Sequence, residues 1–226
     1  EDDTSVYCSA TEDLEDAQRA CDLLNIELRT VNYASEYWDN VFERFIADYK
    51  KGWTPNPDVT CNKEIKFDVF LEYALSFGAP SIATGHYAGC DQVDGTYRLV
   101  RSKDRTKDQT YFLYSLGQKQ LAQTMFPLAN FQKDEVRKIA RHIGLGNSEK
   151  PDSTGICFIG ERPFRQFLER YLPQTPGEIE SESGIKLGTH VGLAFYTLGQ
   201  RQGLGIGGIA GGSGKPWYVI LSLIHI

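Results

Sequence analysis

NKEIKFDVFLEYALSFGAPSIATGHYAG, residues 62–89, contains a complete helix-to-strand transition. NKEIKFDVFLEYALSFG reads as a helix that Gly78 ends. SIAT follows as a short apolar strand, and GHYAG leaves it as a loop. The same alternation appears on the amino-terminal side. In EDLEDAQRACDLL, residues 12–24, Ala17, Ala20, Cys21 and Leu24 share one helical face. IELRTVNYA reads as a strand. SEYWDNVFERFIADYKKG is apolar at 37, 38, 41, 42, 45, 46 and 49, with Gly52 as its C-cap. Helices alternating with short apolar strands predict a parallel sheet covered by helices.

Downstream, SKDRTKDQ (102–109) is a charged loop, and KDEVRKIARHIG is an amphipathic helix through Val136, Ile139, Ala140 and Ile143. NSEKPDSTG is a loop, and ICFI an extended segment. RPFRQFLERYL places Phe164, Phe167, Leu168 and Tyr171 at helical spacing, with Pro163 in the first turn. Beyond Pro173 glycine is dense and helical periodicity stops, so GEIESESGIKLGTHVGLAFYTLGQ reads as short strands and turns. A domain boundary is expected near 160–175. The terminal LSLIHI has no turn or cap logic and reads as a truncation or a foreign tail.

The 226 residues, 41 % hydrophobic, can bury a sizeable core. There is no run of eighteen apolar residues, and the opening EDDTSVYCSA is too acidic and polar for a signal peptide. Five cysteines, an odd number without a C-x-x-C pair, argue against a disulfide framework or a zinc site. The expectation is a cytosolic protein with reduced thiols and no membrane segment. A net charge of −6 disfavours nucleic acid globally, though a local patch can override it.

Cys61 follows the proline-rich TPNPDVTC at the start of a helix, with Lys63 and Lys66 close behind. Unpaired N–H groups and nearby cations are the conditions that lower a thiol pKa. Asp58 is placed to act as a general base or to orient a substrate. The competing reading of Cys61 is a small buried hydrophobe. Cys157 sits between Gly155 and Gly160 and reads either as an approachable thiol or as a core residue between Ile156 and Phe158. His86 and Gly85 leave a strand end, where ligands of open α/β sheets bind. Arg98, Arg101, Lys103, Arg105 and Lys107 form a basic stretch suited to phosphates, or a solvated loop. Gly203, Gly205 and Gly208 match G-x-G-x-x-G without opening a helix, and GGSGKP lacks the P-loop Ser/Thr; both are rejected.

TPNPDVTCNKEIKF, ATGHY, KDQTYFLY, DSTGICFIGERPFRQFL, TLGQRQGLGIGG and PWYV, in this order, closely resemble the bacterial tRNA-specific 2-thiouridylases, the MnmA/TrmU family. The resemblance covers about residues 7–220. It implies a Rossmann-like parallel-sheet domain of the PP-loop ATP pyrophosphatase type over 1–160. A smaller, mostly β central domain over 161–220 and a non-matching tail over 221–226 follow. It implies sulfur transfer to C2 of the wobble uridine: ATP, with Mg2+, adenylates the C2 oxygen, and a persulfide sulfur replaces it. Cys157 then matches the persulfide carrier. Cys61 matches the nucleophile that releases the sulfur, leaving a disulfide with Cys157 (or attacks the base itself), and Asp58 the acid/base group. Asn56, Pro57 and Asp58 match the loop that contacts the target base, Lys107, Asp108 and Gln109 a second tRNA-contacting loop, and Gly85 an ATP contact. The implied partners are tRNA and a sulfur donor, a cysteine desulfurase or a relay carrier. The family's first strand with its phosphate loop and its C-terminal β-barrel have no counterpart in the sequence, so a fragment inactive on its own is expected. Two other classes remain: a catalytically silent tRNA-binding fragment and an RNA-independent dithiol redox protein.

Overall fold

The computed structural model describes residues 10–152, 164–207 and 216–222. The chain divides into two compact units that interleave in sequence. One comprises residues 1–41 and 57–161, the other 42–56 and 162–226.

The first unit opens with α1 (Ala10–Leu24). Then comes α2 (Ala34–Tyr37), which runs through a π-helical segment, Trp38–Phe42, into α3 (Glu43–Lys50) of the second unit. Gly52 ends this run at φ 76°, as its C-cap position predicts. The strand expected over IELRTVNYA, residues 26–34, is absent: Ala34 opens α2, and none of the segment's backbone groups pairs with another strand among the described residues. Extended backbone becomes a strand only beside a partner, and without one Ile26 and Val31 stay exposed.

The helix read over 62–78 starts earlier, as α4 (Pro57–Cys61). It passes through a π-helical segment, Asn62–Val69, into α5 (Phe70–Ser76). The π register shows in Phe70 N–H donating to Ile65 O, five residues back. Gly78 closes the helix at φ 85°. β1 (Ile82–Ala83) is the predicted apolar strand. It pairs in parallel with β4 (Thr124–Met125), through Ile82↔Thr124 and Ala83↔Met125.

Between them lies a hairpin that the sequence reading missed, β2 (Ala88–Val93) and β3 (Thr96–Arg101). Its turn is Asp94-Gly95, both at positive φ (49° and 77°). That is the two-residue turn whose twist matches paired strands. Gly89 is required by packing: a Cβ there would lie 2.8 Å from Val100 Cγ2 and 3.3 Å from Ala129 Cβ. α6 (Gln118–Ala122) and α7 (Lys133–His142) complete the described part of the unit. Its core is Phe67, Leu71, Ile82, Ala88, Leu113, Leu121 and Phe126, all buried. The apolar face predicted on α7 exists, yet Ile139 and Ile143 lie exposed among the described residues.

The second unit is built on aromatics. Phe42, Phe45 and Tyr49 pack edge-on or tilted against Phe164, Phe167 and Tyr171 of the segment opened by α8 (Phe164–Leu168). The strands expected beyond Pro173 are β5 (Gly177–Glu180) and β6 (Lys186–His190), antiparallel with a register shift at Ile179/Glu180. No helix of the described residues is long and apolar enough to cross a membrane.

Candidate functional site

Pro57 occupies the first position of α4, where its missing N–H breaks no helical bond. Asp58 stands in the first turn and Cys61 ends the element, one turn in from the start. Cys61 is a thiol, 6 % exposed, packed with Val41 and Ile65 and flanked by Tyr33 and Tyr37. Apolar and aromatic side chains thus make up the packing around it. Of the two lysines expected to act on it, Lys63 pairs with Glu64 at 2.9 Å, and Lys66 is exposed. Cys157 and its loop lie outside the described residues, as does Cys8. The neighbour of Cys61, Asn62, was not singled out from sequence. It is 2 % exposed and its amide donates to Phe112 O at 3.3 Å. Its Oδ1 is buried without a partner among the described residues, as is the Tyr33 hydroxyl.

The loop leaving β1 packs on the same helical run. His86 lies 5.8 Å from the Phe67 ring and its Nδ1 is 2.5 Å from Thr84 Oγ1. Burial, with a smaller contribution from the Lys66 charge, pushes the imidazole down to about 4, so it is neutral near pH 7. Gly85 has no left-handed φ, and a Cβ there would meet nothing within 4 Å. Nothing in the described chain requires glycine at 85, which leaves room for a ligand's close approach.

The KDQ loop joins this loop by an exchange of two hydrogen bonds. Tyr87 N–H donates to Gln109 Oε1 at 2.9 Å, and Gln109 N–H donates to Tyr87 O at 2.8 Å. Asp108 organises its own turn, accepting from Ser102 N–H (3.0 Å), Thr110 Oγ1 (2.8 Å) and Arg101 Nε (3.3 Å). Burial pulls its carboxyl up, but these donors outweigh burial and leave it below the ordinary carboxylate range. The buried Asp104 accepts from Thr106 and, across 29 residues, from Lys133 N–H at 2.9 Å, which ties the loop to the start of α7. Much of the basic stretch is neutralised at home: Arg101 by Asp108, Lys103 by Glu135 and Lys107 by Asp152. No ion pair involves Arg98 or Arg105 among the described residues.

Three stretches that the sequence analysis singled out separately are thus joined within one unit, through Asn62–Phe112, Phe67–His86 and Tyr87–Gln109. Asn56 falls in the other unit; the division passes between it and Pro57. Among the described residues no group of three or more His, Cys, Asp or Glu could hold a metal ion.

A parallel strand pair with helices, and the Gly85–His86 loop at the carboxyl end of β1, define an α/β protein whose candidate loop lies where such folds bind ligands. The chain belongs to the family described as the tRNA methyl transferase HUP domain, whose model matches residues 1–161. Residues 165–224 match a second model, the tRNA methyl transferase PRC-barrel domain. The chain is 59 % identical over 221 residues to the tRNA-specific 2-thiouridylase MnmA of Escherichia coli O1:K1 / APEC. The same figure holds for the MnmA proteins of strains UTI89 / UPEC and K12 / DH10B. In each case 97 % of this chain is covered but only 60 % of the relative, so the chain spans about three fifths of the curated relatives it matches.

Proposed function

We propose that the chain carries sulfur-transfer machinery of a tRNA 2-thiouridylase, acting in the cytoplasm on a wobble uridine. The observation that carries this reading is the mutual attachment of the Cys61 helix, the Gly85–His86 loop and the Lys107–Gln109 loop. The relatives' printed name supports it, at 59 % identity. The family description speaks of methyl transfer, but thiols at 61 and 157 favour sulfur chemistry.

Gly85, where a Cβ would meet nothing within 4 Å, would let ATP approach the backbone closely; when bound, ATP would supply an activating group for the uracil C2 oxygen. Lys107 and the Asn56–Asp58 loop position the RNA. A sulfur donor of the cysteine desulfurase or relay type loads Cys157 as a persulfide. The Cys61 thiolate attacks the inner sulfur, forming a Cys61–Cys157 disulfide and expelling the terminal sulfur with its electron pair to C2. Asp58 handles the proton. Oxygen leaves with the activating group, and external thiol reduces the disulfide for the next cycle.

Peptide mass spectrometry after incubation with a cysteine desulfurase and cysteine tests the reading. One added sulfur should appear on Cys157 and persist in Cys61→Ser, whereas the parent chain should accumulate a 61–157 disulfide. A folded chain that takes up no sulfur at 157 would overturn the assignment.

Replacing Gly85 by alanine separates ligand approach from folding. The open space at this position predicts stability within about 0.5 kcal/mol of the parent. Nucleotide affinity should fall at least fivefold in equilibrium dialysis. Unchanged affinity would remove Gly85 from the nucleotide site.

A further inference from the structure

Three cations converge on one carboxylate beside the first turns of α7. Lys107 Nζ lies 2.7 Å from Asp152 Oδ2, while Lys133 Nζ and Arg137 Nη2 lie 3.2 Å and 3.6 Å from Oδ1. The three positive groups face a single negative one, which leaves a local surplus of two positive charges. Lys150 is held by Glu12, Asp13 and Asp16, and Glu135 by Lys103, while the Asp104 carboxylate, which accepts from Lys133 N–H at 2.9 Å, offsets part of the surplus. Arg137 also donates to Lys150 O at 3.3 Å, and the Lys133 ammonium lies 5.7 Å from the Tyr87 ring, so both side chains are oriented by more than the carboxylate. All four members of the cluster are partly exposed, between 30 % and 42 %. Ion pairs so exposed are individually weak and exchangeable.

A carboxylate offers two oxygens and one negative charge; a phosphodiester offers two non-bridging oxygens and the same charge. A fork of one guanidinium and two ammonium groups serves either. We propose that Lys107, Lys133 and Arg137 form a binding site for a backbone phosphate of RNA, in which Asp152 stands as an internal substitute until RNA displaces it. The inference rests on the reading of the Lys107 loop as a tRNA contact and extends it to two residues of α7 and an intramolecular competitor. Hydrogen bonds from Lys107 and Lys133 hold the Asp152 carboxyl down at about 2, so the competitor stays ionised throughout the neutral range and exchange is charge for charge. An RNA phosphate is taken over a free one because Lys107 belongs to the loop read as a tRNA contact, and free phosphate is the second arm of the test.

The test is tRNA binding by the whole chain across a salt series, for the parent, Asp152→Asn, Asp152→Ser and Lys133→Gln/Arg137→Gln, each checked by circular dichroism. Removing the competing charge should tighten binding about twofold to fivefold at low salt. The double variant should weaken it and lower the slope of log K against log salt by about 0.7–0.9 per lost contact. Inorganic pyrophosphate provides the second arm. If both Asp152 variants tighten pyrophosphate binding but not tRNA binding, the site takes free phosphate and the RNA inference is overturned. If every variant binds tRNA like the parent, the site is overturned while the tRNA reading stands. If the parent itself does not bind tRNA, both fall.

Discussion

Iodoacetamide should label Cys61 of the folded chain on the order of a hundredfold more slowly than the same thiol in denaturant. The side chain is 6 % exposed, sealed by Val41, Ile65, Tyr33 and Tyr37, so the reagent reaches it only when the helix opens locally. An opening free energy near 3 kcal/mol gives about that factor. Cys21, half-buried on α1, is the internal control and should react without such a delay. Residue-resolved mass spectrometry at neutral pH reads both rates in one sample. Labelling of Cys61 at the denatured rate would mean that the packing around it does not persist in solution. Under the sulfur-transfer reading the protected thiol has a clear use: the nucleophile meets its persulfide partner before it meets a diffusing oxidant.

The larger effect on stability should come from Phe67→Ala. Phe67 is 1 % exposed, packs among Leu71, Ile82, Leu113 and Phe126, and faces the His86 ring. Truncation removes the ring's transfer free energy and leaves a cavity, about 3–5 kcal/mol together. It also admits water beside His86. The folded-state pKa of His86, about 4, lies below its unfolded value of 6.5. Neutral His86 therefore favours the folded state above pH 6.5, and that contribution, roughly 3 kcal/mol, is lost as pH falls from 6.5 through 4. In the Phe67→Ala chain the imidazole should titrate closer to 6.5, and the acid-side loss should shrink. Urea denaturation at pH 7.5 and pH 4.5 measures both effects. A parent chain equally stable at both pH values would remove His86 as a source of acid sensitivity.

Much of the helical framework was legible because it depends on local pattern. Gly52, Gly78 and the stripes of 35–50 and 62–76 mark helix ends and faces without help from distant residues. The β2–β3 hairpin was equally local, and Asp94-Gly95 was its signal. The strand over residues 26–34 failed for the opposite reason, since a strand is a property of two segments and composition describes one. The candidate residues Asp58, Cys61, Gly85 and Gln109 could be picked from sequence, but their settings could not. The burial of Cys61 depends on Val41 and Tyr33, and the engagement of Gln109 on Tyr87. The basic stretch read as opposed by Asp104 alone because, apart from Asp108, its counter-charges Glu135 and Asp152 lie 32 and 45 residues beyond the lysines they pair.

The interleaving of the two units sets a timetable for synthesis. Phe42, Phe45 and Tyr49 leave the ribosome more than a hundred residues ahead of Phe164, Phe167 and Tyr171, the rings that cover them. At about 5–20 residues per second that interval is roughly 6–25 s, long beside the sub-millisecond formation of a helix. Through it, a nascent amphipathic segment carries a bare aromatic face while all of 57–161 is made and begins to fold around its own core. The aromatic packing of the second unit is therefore completed only after synthesis has passed residue 171.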